Sequence, residues 1–493
     1  MTSRSIQVAA PEDLGSAEIV AIADGASPEL GSELLAHMDR RRAEVLDALA
    51  ADGPVYGVHT GMGALAGVRL DAAEQAEQSR RLLVGRAVGG PPWLSRREAR
   101  AVVAVRLRTF LSGDAGVSAE LCAWLATLLA EDLVPAVPRA PSGSAGEIIP
   151  LAHAWGHLAE VGRLLDRNGG AVEASTLLAG RRPPRLGSKE GVALLQGVPV
   201  ATALAVLRAS EARVLLRQWT VVAAAEVALV GAPRDPYRAE VARGDDVLTT
   251  VLHELRDLLG EEPVAPVHLQ APTSFRVVGP TLSHLARSIA TLEDAVDRAM
   301  SGVTDSPAWL DDGTGGRFVG TSGFHGLELS AACDGVRGAL LHAAEVGTAR
   351  LHRLLDPGFS GLPAQLSPDP GPQAGLIAVH KRAVGVVHAQ TPVAFTAVGT
   401  HETSQGQEDV QAYALEAAER LRVAVVAARE VIACELLAVH QAHALVPGRP
   451  AGAAELADAL ARAGEVLPGS TGDRAWGEDI EALIGQLERG WPG

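Results

Sequence analysis

Ser142-Gly143-Ser144-Ala145-Gly146-Glu147-Ile148-Ile149-Pro150-Leu151-Ala152-His153 is the stretch on which the reading of this chain turns. Its first five residues are small, so the backbone can fold tightly there. Glu147-Ile148-Ile149-Pro150 reads as the opening turn of a helix. Taken alone, the stretch is a Gly/Ser turn in front of a helix N-terminus. A second glycine-punctuated loop, Tyr56-Gly57-Val58-His59-Thr60-Gly61-Met62-Gly63, lies upstream of it. Both loops sit in a region where Gly and Pro keep interrupting short helical patterns.

Further out the pattern changes. Beyond Lys189 apolar residues recur at helical spacing in long stretches near 201–230, 281–303, 324–355, 374–398 and 408–439. Several of these are apolar almost all round, as in helices buried inside a bundle. Pro and Gly dominate the breaks at 263–280, 305–323 and 356–373. Connections of that length are commonly functional. The expected organisation is a mixed N-terminal domain over 1–188 carrying both loops, a long-helix bundle over 189–445 and a helical tail over 446–493.

Composition agrees with a mostly α fold. Of 493 residues, 47% are hydrophobic but only 3% aromatic, so the core is built from Ala, Val and Leu, which suits close helix packing. The 43 Lys and Arg against 59 Asp and Glu leave a formal charge of -16, which disfavours nucleic acid and anionic membranes as partners. The most apolar run, Thr220 to Ala232, contains Glu226 and is too short to span a bilayer. The N-terminus shows no apolar leader pattern, so a cytoplasmic protein is expected. Cys122, Cys333 and Cys434 have no paired spacing and read as small buried apolar residues. His153 and His157 are four apart but have no third ligand in view. They read as helix-packing histidines, with no metal expected. No phosphate loop follows Asp312-Gly313-Thr314-Gly315-Gly316, which reads as a turn.

The ordered set of motifs resembles the histidine/aromatic amino-acid ammonia-lyase family over roughly Asp24 to Val439. In that family Ala-Ser-Gly, followed by Asp-Leu-Ala-Pro-Leu, cyclises to a methylidene-imidazolone, an electrophilic alkene. The middle residue must lose a β-hydroxyl, and the third must offer an unhindered nitrogen. Here the matching triad is Ser144-Ala145-Gly146, whose middle residue has no hydroxyl. Moving the register to Gly143-Ser144-Ala145 restores the serine but puts a Cβ on the third position. The resemblance therefore implies the fold without the prosthetic group, and no cofactor is expected.

Other positions follow from the same resemblance. The Tyr56–Gly63 loop is similar to Tyr-Gly-Val-Asn-Thr-Gly-Phe-Gly, which makes Tyr56 the proton carrier and places Met62 at the substrate. Gly85-Arg86 stands where histidine-specific members have Ser-His, which argues against histidine and puts a fixed cation, Arg86, in the site. Lys189-Glu190-Gly191-Val192-Ala193-Leu194-Leu195-Gln196-Gly197 resembles Lys-Glu-Gly-Leu-Ala-Leu-x-Asn-Gly, with Gln196 for Asn. Gln270-Ala271-Pro272-Thr273-Ser274-Phe275-Arg276 resembles Gln-Asp-x-Tyr-Ser-x-Arg. It keeps Arg276 for the substrate carboxylate and has Thr273 for the tyrosine. Gly323-Phe324-His325-Gly326 keeps the aromatic wall, Phe324. Gln407-Glu408-Asp409 matches Gln-Glu-Asp, with Glu408 near the substrate amine, and His388 stands where the family has Glu. The family's homotetramers share sites between chains, so self-association is implied, along with a small-molecule substrate.

The fold class expected is thus mostly α: an ammonia-lyase-like fold with a central bundle of long helices and a smaller mixed N-terminal domain. Three functions are open. The first is a lyase-like enzyme without the electrophile, using Tyr56 for elimination or for conjugate addition or cyclisation at a carbon–heteroatom bond of a carboxylate-bearing molecule. The second is a true ammonia-lyase with a variant group built from Gly143-Ser144-Ala145. The third is a binding or scaffold protein that keeps the fold.

Overall fold

The computed structural model of the chain describes residues 4–51, 53–139, 143–260, 267–311, 313, 315–391, 394–399 and 401–492. Ser142 of the Gly/Ser loop, residues 263–266 of the first break, and Asp312 and Thr314 of the glycine turn lie outside these. Among the described residues there are eighteen α-helices and only short strands, so the protein is mostly α.

The chain divides into two compact units. The first comprises residues 1–208, 292–334 and 395–419. Its strands are a parallel pair, Ser5–Val8 with Ser27–Leu30, an antiparallel three-stranded sheet ordered Val134–Pro135, Arg163–Leu165, Ala171–Glu173, and a hairpin. Its helices start where side chains take up orphan N–H groups. Asp71 and Glu74 form a capping box for Ala72–Arg86, Ser95 and Glu98 form one for Arg96–Phe110, and Ser118 caps Ala119–Ala130. The Arg96–Phe110 helix is buried along most of its length, charges included. Arg100 donates to the carbonyls of Ile22, Ala26 and Leu129, and Glu98 receives both Arg139 and Arg208. These bonds let charged side chains sit in a core.

The second unit comprises residues 209–291, 335–394 and 420–493. Its core is the apolar Ala/Val/Leu surface of long helices. Residues 218–230 and 431–439 are buried on every face, as the all-round apolar pattern implies. A charged cluster of Arg350, Glu226 and Glu435 lies inside it. Arg350 donates to Glu226 at 2.5 Å and to Glu435 at 2.6 Å, and Trp219 Nε1 donates to Glu435 at 3.0 Å.

The long helices observed are Pro199–Val230, Val278–Ser301, Leu327–Leu354 and Ala414–Leu445. Two expected helices are shorter or start later. The stretch near 374–398 is helical only over Ile377–His388. At its start the N–H groups of Ala374 and Gly375 go to the Asp473 carboxylate instead of opening a helix earlier. At its end Pro392 biases the residue before it away from helix. The stretch beginning at Glu408 becomes helical only at Ala414, because Ser404, Gln405 and Tyr413 adopt positive φ (54°, 55° and 50°). The 305–323 break, read as a loop, holds the hairpin Ala308–Asp311 with Gly316–Val319. Strand pairing across so short a turn leaves little periodic trace in sequence.

Candidate active site in the first unit

Glu147 does open a helix, Ile148–Trp155, yet its side chain does not cap it. Its carboxylate accepts the N–H groups of Val200 and Ala201, each at 2.6 Å, at the start of the Pro199–Val230 helix. This fastens the Gly/Ser loop to that helix through the positive end of the helix dipole. Burial pushes the Glu147 carboxyl up to about 8, against the pull of those N–H groups and of Arg106.

The loop so anchored brings three family positions together. An ideal Cβ on Gly146 would lie 3.5 Å from the Gly197 carbonyl and 3.8 Å from that of Phe324. Gln196 is extended at the end of Glu190–Leu195, with its carbonyl held by Arg106. Ser144 donates its hydroxyl to the Gly146 carbonyl at 2.7 Å, and the Ala145 N–H donates to Glu408 Oε2 at 3.1 Å. The same Glu408 oxygen accepts the Thr403 hydroxyl at 3.1 Å. Gln411 spans this corner, its amide donating to the carbonyl of His401 at 2.9 Å and to that of Gly143 at 3.4 Å.

The tyrosine loop packs on the same corner. Tyr56 is half-buried, and its phenolic oxygen accepts the Gly63 N–H at 2.7 Å. Gly63 has φ +60°, and a Cβ there would approach the Ser404 hydroxyl to 3.4 Å, so a bulkier residue would strain the turn and press on the 404–406 segment. Met62 is buried beneath the loop and lies beside Gly57. Arg86 ends Ala72–Arg86, near enough to Tyr56 and Glu408 to feel their charges. Burial draws its guanidinium below the ordinary value, while the charges of Tyr56 and Glu408 raise it.

The first unit therefore gathers Tyr56, Arg86, Glu408, the Ser144-Ala145-Gly146 triad, Gln196 and Phe324, with Met62 under the loop and the exposed Gln407 next to Glu408. Arg276, Thr273 and His388 belong to the second unit. There Arg276 donates to the Thr273 hydroxyl at 3.3 Å, and His388 is exposed at the end of its helix. His153 and His157 do not act as a pair: His153 Nε2 accepts the Gly89 N–H and His157 Nε2 accepts the Trp124 indole N–H. Sequence reasoning missed Thr403, Gln411 and the anchoring role of Glu147. No local pattern marks them, because each acts on a loop distant in sequence.

With this geometry, the motifs fall into place in a known family. The chain matches the model of the aromatic amino acid lyase family over residues 14–464, and it belongs to that family of lyases. It is 31% identical to the histidine ammonia-lyase of Anaeromyxobacter dehalogenans, covering 97% of this chain and 98% of that one. It is 29% identical to the histidine ammonia-lyase of Deinococcus radiodurans, covering 96% and 91%. Its fold is similar to that of tyrosine aminomutase from Streptomyces globisporus (TM-score 0.92, 23% identity, 99% and 97% covered). It is similar also to ergothionase from Treponema denticola (TM-score 0.90, 20% identity, 99% and 98% covered). The mostly α, ammonia-lyase-like fold is thereby established. No helix of the described residues is long and apolar enough to cross a membrane.

Proposed function

We propose that this protein is a lyase-like enzyme that works without a methylidene-imidazolone group. In this reading Tyr56 moves a proton during elimination, or during conjugate addition or cyclisation, at a carbon–heteroatom bond of a carboxylate-bearing small molecule. One observation carries the reading. A phenol oxygen held by the Gly63 N–H sits on a loop packed against the 404–406 segment, and the Glu408 that follows this segment takes the N–H of Ala145, the middle residue of the triad. Ala145 has only a methyl where the group's formation requires a leaving hydroxyl, and the neighbouring Ser144 hydroxyl is turned onto the Gly146 carbonyl. These residues do not fit the group.

The chemistry left to the chain is acid–base and electrostatic. A free phenol titrates near pH ~10, so it needs donors and positive charge around its oxygen to serve as a base. The Gly63 N–H and Arg86 are of that kind. Glu408 has its Oε2 occupied by Ala145 and Thr403, which leaves Oε1 for a substrate amine. Arg276 would take a carboxylate as a bidentate fork. Without an electrophile to activate an amine as leaving group, a better leaving group or the addition direction is favoured.

Self-association belongs to the same proposal. Around the Tyr56 loop and its neighbours, Leu65, Val68, Val88, Phe395 and Val398 are each more than half exposed. Such apolar surface suits burial by further copies in a homotetramer, which would bring Arg276 of one copy to the Tyr56 corner of another.

The test has two parts. An intact mass equal to that of the plain sequence supports the reading, and a mass short by two waters overturns it. In a screen of amino acids and of trans-acrylates with added amine, Tyr56→Phe should lower any turnover found about 10²–10⁴-fold. Unchanged turnover in that variant would remove Tyr56 from the mechanism.

A further inference from the structure

The six-residue helix Glu190–Leu195 carries Gln196 at its end. So short a helix does not fix its own ends, and a buried cation grips each of them. At the start Lys189 takes a left-handed φ of 70° and sends its ammonium to the Ala115 carbonyl, at 2.7 Å, and to Asp305. At the other end Arg106 donates to the Gln196 carbonyl. No arginine among the described residues is less exposed than Arg106, at 2%. Arg100 shows what a stabilising arginine looks like in this unit: three backbone carbonyls and Asp132 take its donors. Arg106 has the Gln196 carbonyl and the face of Phe110, 5.0 Å from its guanidinium carbon. Its Nε is buried without a partner, and among the described residues it forms no ion pair. The carboxylates whose charges reach it are engaged elsewhere, Glu147 by Val200 and Ala201, and Asp305 by Lys189. A buried charge so poorly supplied is a net burden on the core.

What Arg106 holds is the backbone of a residue at the site. Gln196 is extended (φ -90°, ψ 163°), and Gly197 follows it with φ +78°. A Cβ on Gly197 would come 3.1 Å from the Thr304 hydroxyl, so the turn is crowded on that side. On the other side the Gly197 carbonyl lies against Gly146 of the triad. A trans peptide is planar, so fixing the Gln196 carbonyl also fixes the Gly197 N–H and both flanking Cα atoms. Resting on the reading above, in which Gln196 lines the site, we infer that Arg106 is a positioning residue: it sets the Gln196–Gly197 peptide, and through it the Gln196 side chain and the floor beneath the triad. It touches no substrate. Its charge is kept for placement of the site, at the expense of a better satisfied core, as sites under functional demand commonly are.

Hydrogen exchange followed by mass spectrometry on the full chain tests this without a substrate. Arg106→Met keeps most of the side-chain volume and removes the charge, a change that buried sites often tolerate. Its melting temperature should stay within about 5 °C of wild type. Peptides covering 193–201 should exchange at least about 10-fold faster, the scale of one hydrogen bond to a charged group, while the rest of the chain exchanges as before. Arg106→Lys can still donate to the Gln196 carbonyl and should bring exchange back to within about 3-fold of wild type. With any substrate found in the screen above, Arg106→Met should lower kcat about 10²-fold and change KM less than about 3-fold, as misplacement of a site does. The inference is overturned if Arg106→Met leaves exchange at 193–201 unchanged, or if Arg106→Lys exchanges as fast as Arg106→Met. It is overturned as well if Arg106→Met melts more than about 5 °C lower or fails to fold, because Arg106 then serves the core. A mass short by two waters, or full turnover in Tyr56→Phe, bears on the proposed reaction and leaves the exchange result standing.

Discussion

Replacing Arg350 by Met probes the buried charge cluster of the second unit. Arg350 is 3% exposed, and the Glu226 and Glu435 side chains are fully buried. One cation thus stands between two carboxyls, with Trp219 donating to Glu435 and Tyr237 nearby. Burial and the neighbouring Glu435 push Glu226 well above the carboxylate range. Arg350 is held charged more firmly than usual by both glutamates. Its loss removes two charge-assisted hydrogen bonds, each about 1.5–3 kcal/mol. It also strands a buried acid pair, for which about 3–5 kcal/mol is the usual net cost. The sign of the pH dependence follows from the raised value. A carboxyl raised by folding contributes stability that is complete below its unfolded value and is lost as pH rises through the folded one. The cost of Arg350→Met should therefore be larger at pH 8 than at pH 5, where the Glu226 carboxyl protonates more readily. Urea unfolding followed by far-ultraviolet circular dichroism at the two pH values measures this. Glu226→Gln, which fixes that side chain in a neutral form, should flatten the pH dependence. A loss below about 1 kcal/mol for Arg350→Met, or the same loss at both pH values, would refute the argument.

Four other outcomes follow. Light scattering should show a tetramer in solution; a monodisperse monomer would leave the apolar surface around Leu65, Val68 and Val398 unexplained. Gly63→Ala should cost about 1–2 kcal/mol through its left-handed φ and should lower turnover by shifting the N–H that holds Tyr56. Melting temperatures would separate the two effects. Glu147 has a folded value of about 8, so its contribution is complete below the unfolded value near ~4.3 and is lost as pH rises through 8. Glu147→Gln should flatten that decline in an unfolding series across this window. Thr403→Val should loosen Glu408 by removing one of its two donors, at about 0.5–1.5 kcal/mol, seen as a weaker affinity for amine-bearing probes with little change for simple carboxylates.

Periodicity located the long helices because burial inside a bundle demands apolar residues on every face, and such runs are visible one chain segment at a time. The buried stretches 218–230 and 431–439 are of this kind. Spacing among Tyr56, the triad, Gln196, Phe324 and Glu408 sufficed to identify the family, since those residues stand in fixed local motifs. The absent hydroxyl at Ala145 was likewise a matter of composition at one position. Tertiary structure alone decided how the motifs meet. Glu408 lies in a loop and not a helix because Ser404, Gln405 and Tyr413 take left-handed backbone. Its carboxylate reaches the amide of a residue 263 positions away. Glu147 caps a helix other than its own for the same kind of reason: an orphan N–H is satisfied by whichever acceptor the packing delivers, and sequence separation leaves no mark of that.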